Sequence, residues 1–204
     1  NTSKGHSPAY KFTTGGANDH IALWTSADEG YNASNPFRNS KAIYVLPSEN
    51  EWYKAAYYDP NANGGLGGYW DYATGSDSAP TAVASGTTSG TAVYGQVYDT
   101  GPANITNAGG LSPYGTMAQN GNVAEWGESG FTPPNNSASE KRVIRDGSWS
   151  YNSDLLASSN RLDFGPAVEF SLGTVGFRVA AVPELSGSFA TLLCALGVVL
   201  RRRR

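Results

Sequence analysis

Long hydrophobic runs are scarce in this chain; most apolar residues come in twos and threes between Gly, Asn, Ser and Thr. Tyr10-Lys11-Phe12, Ile21-Ala22-Leu23-Trp24 and Ala42-Ile43-Tyr44-Val45 are pieces of this kind, and each predicts a short strand flanked by loop. Leu46 to Tyr58 departs from the pattern with helical spacing. Ser48 can cap the first turn, and Glu51, three residues on, completes a capping box. Trp52, Ala55 and Ala56, together with Tyr53, are the candidates for its buried face. Asp59-Pro60 and Asn63-Gly64-Gly65 then stop the helix.

From Gly64 to Gly110 the chain is rich in Gly, Thr, Ser and Ala, a composition shared with disordered segments. Aromatics spaced through it (Tyr69, Trp70, Tyr72, Tyr94, Tyr98) predict an ordered, irregular segment instead. Pro113-Tyr114-Gly115 leads into Asn120–Trp126, and a polar loop covers 132–140. Arg142–Arg145 then predict a strand, Asp146–Trp149 a turn, and Val175–Ala181 a last strand.

The end of the chain has a different pattern. Pro183-Glu184 stands before an uncharged apolar run, Ser186–Leu200, and Arg201, Arg202, Arg203 and Arg204 follow. Helix formation would satisfy the backbone of such a run in lipid. At about 1.5 Å per residue its fifteen residues fall somewhat short of a ~30 Å hydrocarbon core. The arginines resist translocation, which predicts a membrane helix at about 186–200 with everything before Pro183 outside.

The 204 residues divide into a domain over 1–181, large enough for one core, and a tail over 182–204. Discounting the four terminal arginines takes the net charge from −3 to −7, and no basic patch is interleaved with aromatics, so nucleic acid is not an expected partner. Gly (25), Tyr (12) and Trp (5) are abundant, which suits a loop-rich fold with aromatic packing. Cys194, in the apolar run, is the single cysteine, so the domain has neither disulfide nor thiol. The first residue is Asn1 and no signal peptide precedes it. An exported protein needs one, and the expectation is that an N-terminal part is missing.

Two resemblances follow. The tail resembles the PEP-CTERM sorting signal that an exosortase recognises and removes, although Leu185 stands where a second proline is usual. The body has four landmarks in fixed order: Leu46-Pro-Ser-Glu-Asn-Glu-Trp52, Gly121-Asn-Val-Ala-Glu-Trp126, Arg142-Val-Ile-Arg-Asp-Gly-Ser-Trp149 and Gly176-Phe-Arg178. Together they resemble the formylglycine-generating enzyme (sulfatase-modifying factor) family. The resemblance implies an α+β, loop-rich fold related to C-type lectins, with little regular secondary structure, to which the tail would add a C-terminal hydrophobic helix.

The family's enzymes oxidise a sulfatase cysteine with copper held by two cysteine thiolates that follow the Gly-Gly-Ser-Trp motif, five residues apart. The matching positions here are Tyr151 and Leu156. Soft thiolates select Cu(I), and a phenol and an alkyl group cannot replace them, so no copper is expected. A branch that forms carbon–sulfur bonds holds iron with three histidines; this chain has only His6 and His20, expected on exposed loops. No catalytic residue is assigned.

The resemblance also implies calcium at Gly121 and Val123 through their carbonyls and at Glu125 through its carboxylate, a hard-oxygen set. A further family ligand falls on Ala118, which cannot coordinate. The alternative role for Glu125 is to cap a turn. Trp126, Trp149 and Phe177 are expected in the core, and Arg161 and Arg178 as ion-paired scaffold. Asp146 replaces the first glycine of Gly-Gly-Ser-Trp, which narrows the backbone conformations open there.

These readings favour an exported, non-catalytic module. It would be anchored transiently in the inner membrane, sorted by exosortase to the bacterial envelope or extracellular matrix, and would there bind a polysaccharide or protein or serve a structural role. Aromatics between Tyr69 and Tyr98 are candidates for stacking on sugar. The alternative is a formylglycine-generating-type or other oxidoreductase using residues not recognised in the sequence.

Overall fold

The computed structural model describes residues 1–13, 21–165 and 173–182. Strands β1 (Lys11–Phe12), β2 (Ile21–Ala22) and β3 (Tyr44–Val45) precede helix α1 (Glu49–Tyr57). Then come β4 (Tyr58–Asp59), β5 (Gly68–Tyr69), β6 (Thr81–Ala82) and β7 (Thr91–Ala92). The last elements are β8 (Ala124–Gly130), β9 (Arg142–Arg145), β10 (Leu162–Phe164), β11 (Val175–Phe177) and β12 (Ala180–Ala181). Most strands are two residues long because turn-forming residues interrupt every apolar piece. The result is the expected loop-rich α+β architecture.

The centre is a four-stranded sheet in the order β10-β9-β8-β11, with β11 parallel to β8 and the other pairs antiparallel. All four residues of β9 are buried, as are five of the seven in β8, so both faces of these strands are covered. Helix α1 covers part of β8. The Glu49 amide donates to Ser129 Oγ and the Glu128 amide to the Pro47 carbonyl, at 3.0 and 2.9 Å.

Helix α1 starts as its sequence predicts. Ser48 Oγ accepts from the Glu51 amide, and the Glu51 carboxylate accepts from the Ser48 amide. It buries Trp52, Ala56 and Tyr57; Tyr53 packs against this cluster, and Ala55 is only half-buried. Tyr57 takes the place expected of Ala55 because its ring meets Trp52 and Tyr53 edge-on at 5.9 and 4.8 Å. At Tyr58 the backbone turns extended and pairs with Tyr69, which ends the helix ahead of Asp59-Pro60. The segment 64–110 is ordered through β5 to β7 and bridges such as Val93 to Gly121.

Three expectations need correction. Asn120–Trp126, to which the sequence assigns no element, runs into the longest strand, since β8 begins at Ala124 and continues to Gly130. The last predicted strand is two strands, because Val175–Phe177 joins β8 whereas Ala180–Ala181 pairs with β3. Trp149 is buried as expected, but Phe177 is 66% exposed and Trp126 only half-buried: both lie where the sheet opens into a cleft.

Among the described residues no helix is long and apolar enough to cross a membrane. The predicted helix at 186–200, with Pro183, Glu184 and Arg201–Arg204, lies outside the described residues, as does His20. His6 is half-buried in the N-terminal loop.

Candidate functional site

The Gly121-to-Glu125 turn lies at the entrance to β8. Gly121 has φ +74°, and a Cβ there would stand 2.2 Å from the Val93 carbonyl oxygen, so only glycine allows the bridge between these segments. The next residue, Asn122, is also left-handed (φ +65°). Its side-chain oxygen accepts from the Ala103 amide at 2.8 Å and its carbonyl from the Trp149 amide at 2.9 Å. Three loops are thereby tied to one turn.

Glu125 and Glu128, three apart on β8, are both buried and both clamped. Arg178 donates from Nε to Glu125 Oε2 at 2.5 Å and from Nη2 to Oε1 at 2.7 Å, while Trp52 Nε1 donates to Oε2 at 2.6 Å. Glu128 accepts from Arg38 Nε, Asn35 Nδ2 and the Tyr10 hydroxyl. Burial first, and then the Glu128 carboxylate, push the Tyr10 phenol well above its ordinary range. At the start of α1, Glu49 is held by Arg145 and Arg161. Burial opposes its ionisation, but hydrogen bonds and charge from the two arginines keep its carboxyl below the usual value. Arg161 and Arg178 are therefore the ion-paired scaffold expected of them.

This geometry does not fit calcium at Gly121, Val123 and Glu125. Both oxygens of Glu125 face a guanidinium or an indole N–H, so a dication there would stand against Arg178. Calcium needs oxygen ligands free to face it, and Arg178 already takes the Met117 and Ala118 carbonyls beside Glu125. Ala118 is buried at φ +56°, its carbonyl accepting from Arg178. Glu125 also does not act as a simple turn cap, since its bonds are to side chains from α1 and the 178 position.

Asp146 differs from these carboxylates. It is 2% exposed, at φ +69°, and no arginine or other side chain pairs with it among the described residues. Burial raises its pKa well above the ordinary carboxylate value; the charge of Glu125 adds to this, and the amides of Gly121 and Gly147 oppose it. In the same turn, Trp149 Nε1 is also buried without a partner.

The two positions matching the copper thiolates follow this turn. Tyr151 is 38% exposed, and its carbonyl accepts from the Gly95 amide at 2.8 Å. Leu156 is wholly buried at the end of a short 3-10 turn, Ser153–Leu156, and its carbonyl accepts from the Tyr57 hydroxyl at 3.3 Å. Sulfur donors are lacking at both, and the groups present suit an aromatic surface and an apolar core. Copper does not fit.

An apolar cleft went unnoticed in the sequence. Two adjoining cavities of about 230 and 680 Å³ share Tyr10, Phe12, Leu46 and Trp126 as walls, with Glu128 and Arg142 on one and Phe177 and Val179 on the other. Arg142 stacks on Phe37, with its centre 4.0 Å from the ring, and donates to Asn135, so the polar groups of the cleft are satisfied internally. No local motif announces it, because its walls come from the first strand, β8 and β11.

The comparisons with known proteins agree with this architecture. No curated protein matches the chain. Among solved structures, Treponema denticola variable protein 1 matches with a TM-score of 0.55 and 23% identity over 89% of this chain, which shows a shared fold. CarF matches at TM-score 0.46 and 21% identity over 74% of the chain. The chain spans 65% and 54% of the lengths of these two proteins. The profile of the sulfatase-modifying factor enzyme 1-like domain matches residues 4–182, and the chain belongs to that family.

Proposed function

We propose that this is a non-catalytic member of the family, exported and serving a binding or structural role at the cell envelope or outside it. The supporting observation is the chemistry at Tyr151 and Leu156: an exposed phenol and a fully buried alkyl side chain occupy the thiolate positions. Cu(I) selection requires soft sulfur ligands. The buried glutamates of the central sheet and α1, Glu125, Glu128 and Glu49, are each paired to arginine. Calcium has no part in the proposal, since Arg178 neutralises its candidate carboxylate.

Export and exosortase processing rest on the Pro183-Glu184, apolar and arginine pattern of the tail. A reporter fused before Pro183 is expected to be released in cells containing exosortase and retained in cells lacking it. Retention in both would remove the sorting part of the proposal. For the non-catalytic part, Cu(I) titration of the chain followed by oxygen-dependent assay on a cysteine peptide should give neither stoichiometric binding nor oxidation. Turnover would overturn it.

A further inference from the structure

One face of the molecule carries a cluster of tyrosines that extends from the core at Tyr53 out to exposed rings. Tyr58 and Tyr69 are directly opposite each other on β4 and β5, with ring centres 5.1 Å apart. Tyr53, one turn earlier on α1, lies 5.5 Å from Tyr69, and Tyr114 stacks on Tyr58 at 6.2 Å with planes 25° apart. Tyr69 is 53% exposed and Tyr114 47%. None of the four hydroxyls makes a hydrogen bond among the described residues, and those of the exposed Tyr69 and Tyr114 can donate to or accept from a ligand.

The cluster is built on regular structure. Cross-strand pairing sets Tyr58 against Tyr69, and the hairpin turn needs Gly67, at φ +79°, where a Cβ would stand 2.2 Å from the Tyr58 hydroxyl. Tyrosine has only two side-chain torsions to fix, so a ligand would meet rings already ordered at small entropic cost.

Arg145, over the Tyr53 ring, is paired with Glu49, which leaves Lys54 as the cation without a carboxylate partner beside these rings among the described residues. Lys54 places its ammonium 5.4 Å from the Tyr58 ring centre and makes no salt bridge among the described residues. Glu51, one turn back, is engaged by Arg38. Asp59 follows Tyr58 on β4 and so points to the opposite face, where it accepts from the Asn61 amide and the Trp70 indole. The face therefore offers apolar rings, free hydroxyls and one uncommitted cation.

We infer that the face formed by Tyr58, Tyr69, Tyr114 and Lys54 is a binding site for a carboxylate-bearing polysaccharide. This deepens, and rests on, the proposed binding role. The C–H faces of sugar rings would stack on Tyr69 and Tyr114, hydroxyls would pair with the phenols, and a uronate carboxylate would meet Lys54. Because exposed rings lie on both sides of Tyr58, an oligomer rather than a single sugar is the fitting ligand. A peptide of prolines could also lie across tyrosines, but it offers nothing to Lys54.

The test is affinity electrophoresis of the full chain in detergent through gels containing a polyuronate, a neutral glucan or neither, with a proline-rich peptide titrated in solution. The polyuronate is expected to retard the chain, and added salt to weaken retardation. Tyr69→Ala with Tyr114→Ala should weaken retardation about tenfold or more, while Lys54→Gln should reduce it several-fold and leave the melting profile unchanged. Equal retardation by the neutral glucan, indifference to the three substitutions, or binding of the peptide alone would overturn the assignment. Absence of retardation without copper-dependent turnover would sink the site and leave the non-catalytic reading standing. Turnover would remove that reading whatever the gels show.

Discussion

At the contact between α1 and the central sheet, Glu49, Glu125 and Glu128 each receive hydrogen bonds from at least one arginine; at the end of β9, Asp146 receives none. Both regions keep carboxylates from water, but they bear the cost differently. The first neutralises each charge with a guanidinium and adds Trp52 at Glu125, Tyr10 and Asn35 at Glu128, and a second arginine at Glu49. The second has no paired cation, so burial raises the pKa of the acid, and the backbone is left-handed where glycine would be at ease. Ion pairs here hold distant segments together, whereas the acid in the turn has only the backbone amides of Gly121 and Gly147 to favour its charge.

The comparison breaks most directly at Arg178. Arg178→Met strands a buried Glu125, and urea unfolding should show a loss of about 3–5 kcal/mol. An unchanged midpoint would mean that the pair contributes little. Asp146→Gly should act in the opposite direction, raising stability by about 1–3 kcal/mol as left-handed strain and a buried carboxyl disappear. A fall would show that Asp146 has a partner.

The same position gives a pH test. The folded-state pKa of Asp146 is raised, so the folded chain keeps a proton that the unfolded chain releases, and stability falls as pH rises above about 3.9 toward the folded value. Asp146→Asn lacks this loss, so its advantage over the parent should widen between about pH 4 and pH 7. Glu49 and Glu51 run the other way. Arg38 holds Glu51 down at about 2, and the contribution of each is present above about 4.3 and lost as pH falls through its folded value. They are common to both proteins and cancel in the difference.

Smaller effects sharpen the contrast. Ser48→Ala removes the α1 cap beside the clamps and should cost about 1 kcal/mol by thermal or urea melting. Tyr69→Ala, on the exposed face, should change stability by no more than about 0.5 kcal/mol, and a larger loss would make that ring structural.

Local signals were legible where one element supplied its own partners. The capping box at Ser48 and Glu51 and the strand at Arg142–Arg145 could be read directly, since their bonds or apolar pattern are contiguous. Arg161 and Arg178 were legible as scaffold, but not their partners, which lie more than fifty residues away. The exposure of Phe177 was hidden for a related reason. Its Gly-Phe-Arg setting predicts a strand, while its burial depends on what stands opposite β11. The apolar cleft had no sequence signature, and of the tyrosine face only Tyr69 stood among the aromatics named as candidates for sugar stacking, because each gathers residues from separate elements.

The order of residues alone established the family landmarks, the helix start and the lack of thiols at positions 151 and 156, all properties of neighbouring or matched residues. Tertiary structure decided which carboxylates have arginines, where aromatic rings emerge from the core, and that Glu125 pairs with a cation. These depend on long-range approach, and a charge or ring has no fixed meaning until its surroundings set the dielectric and the partner.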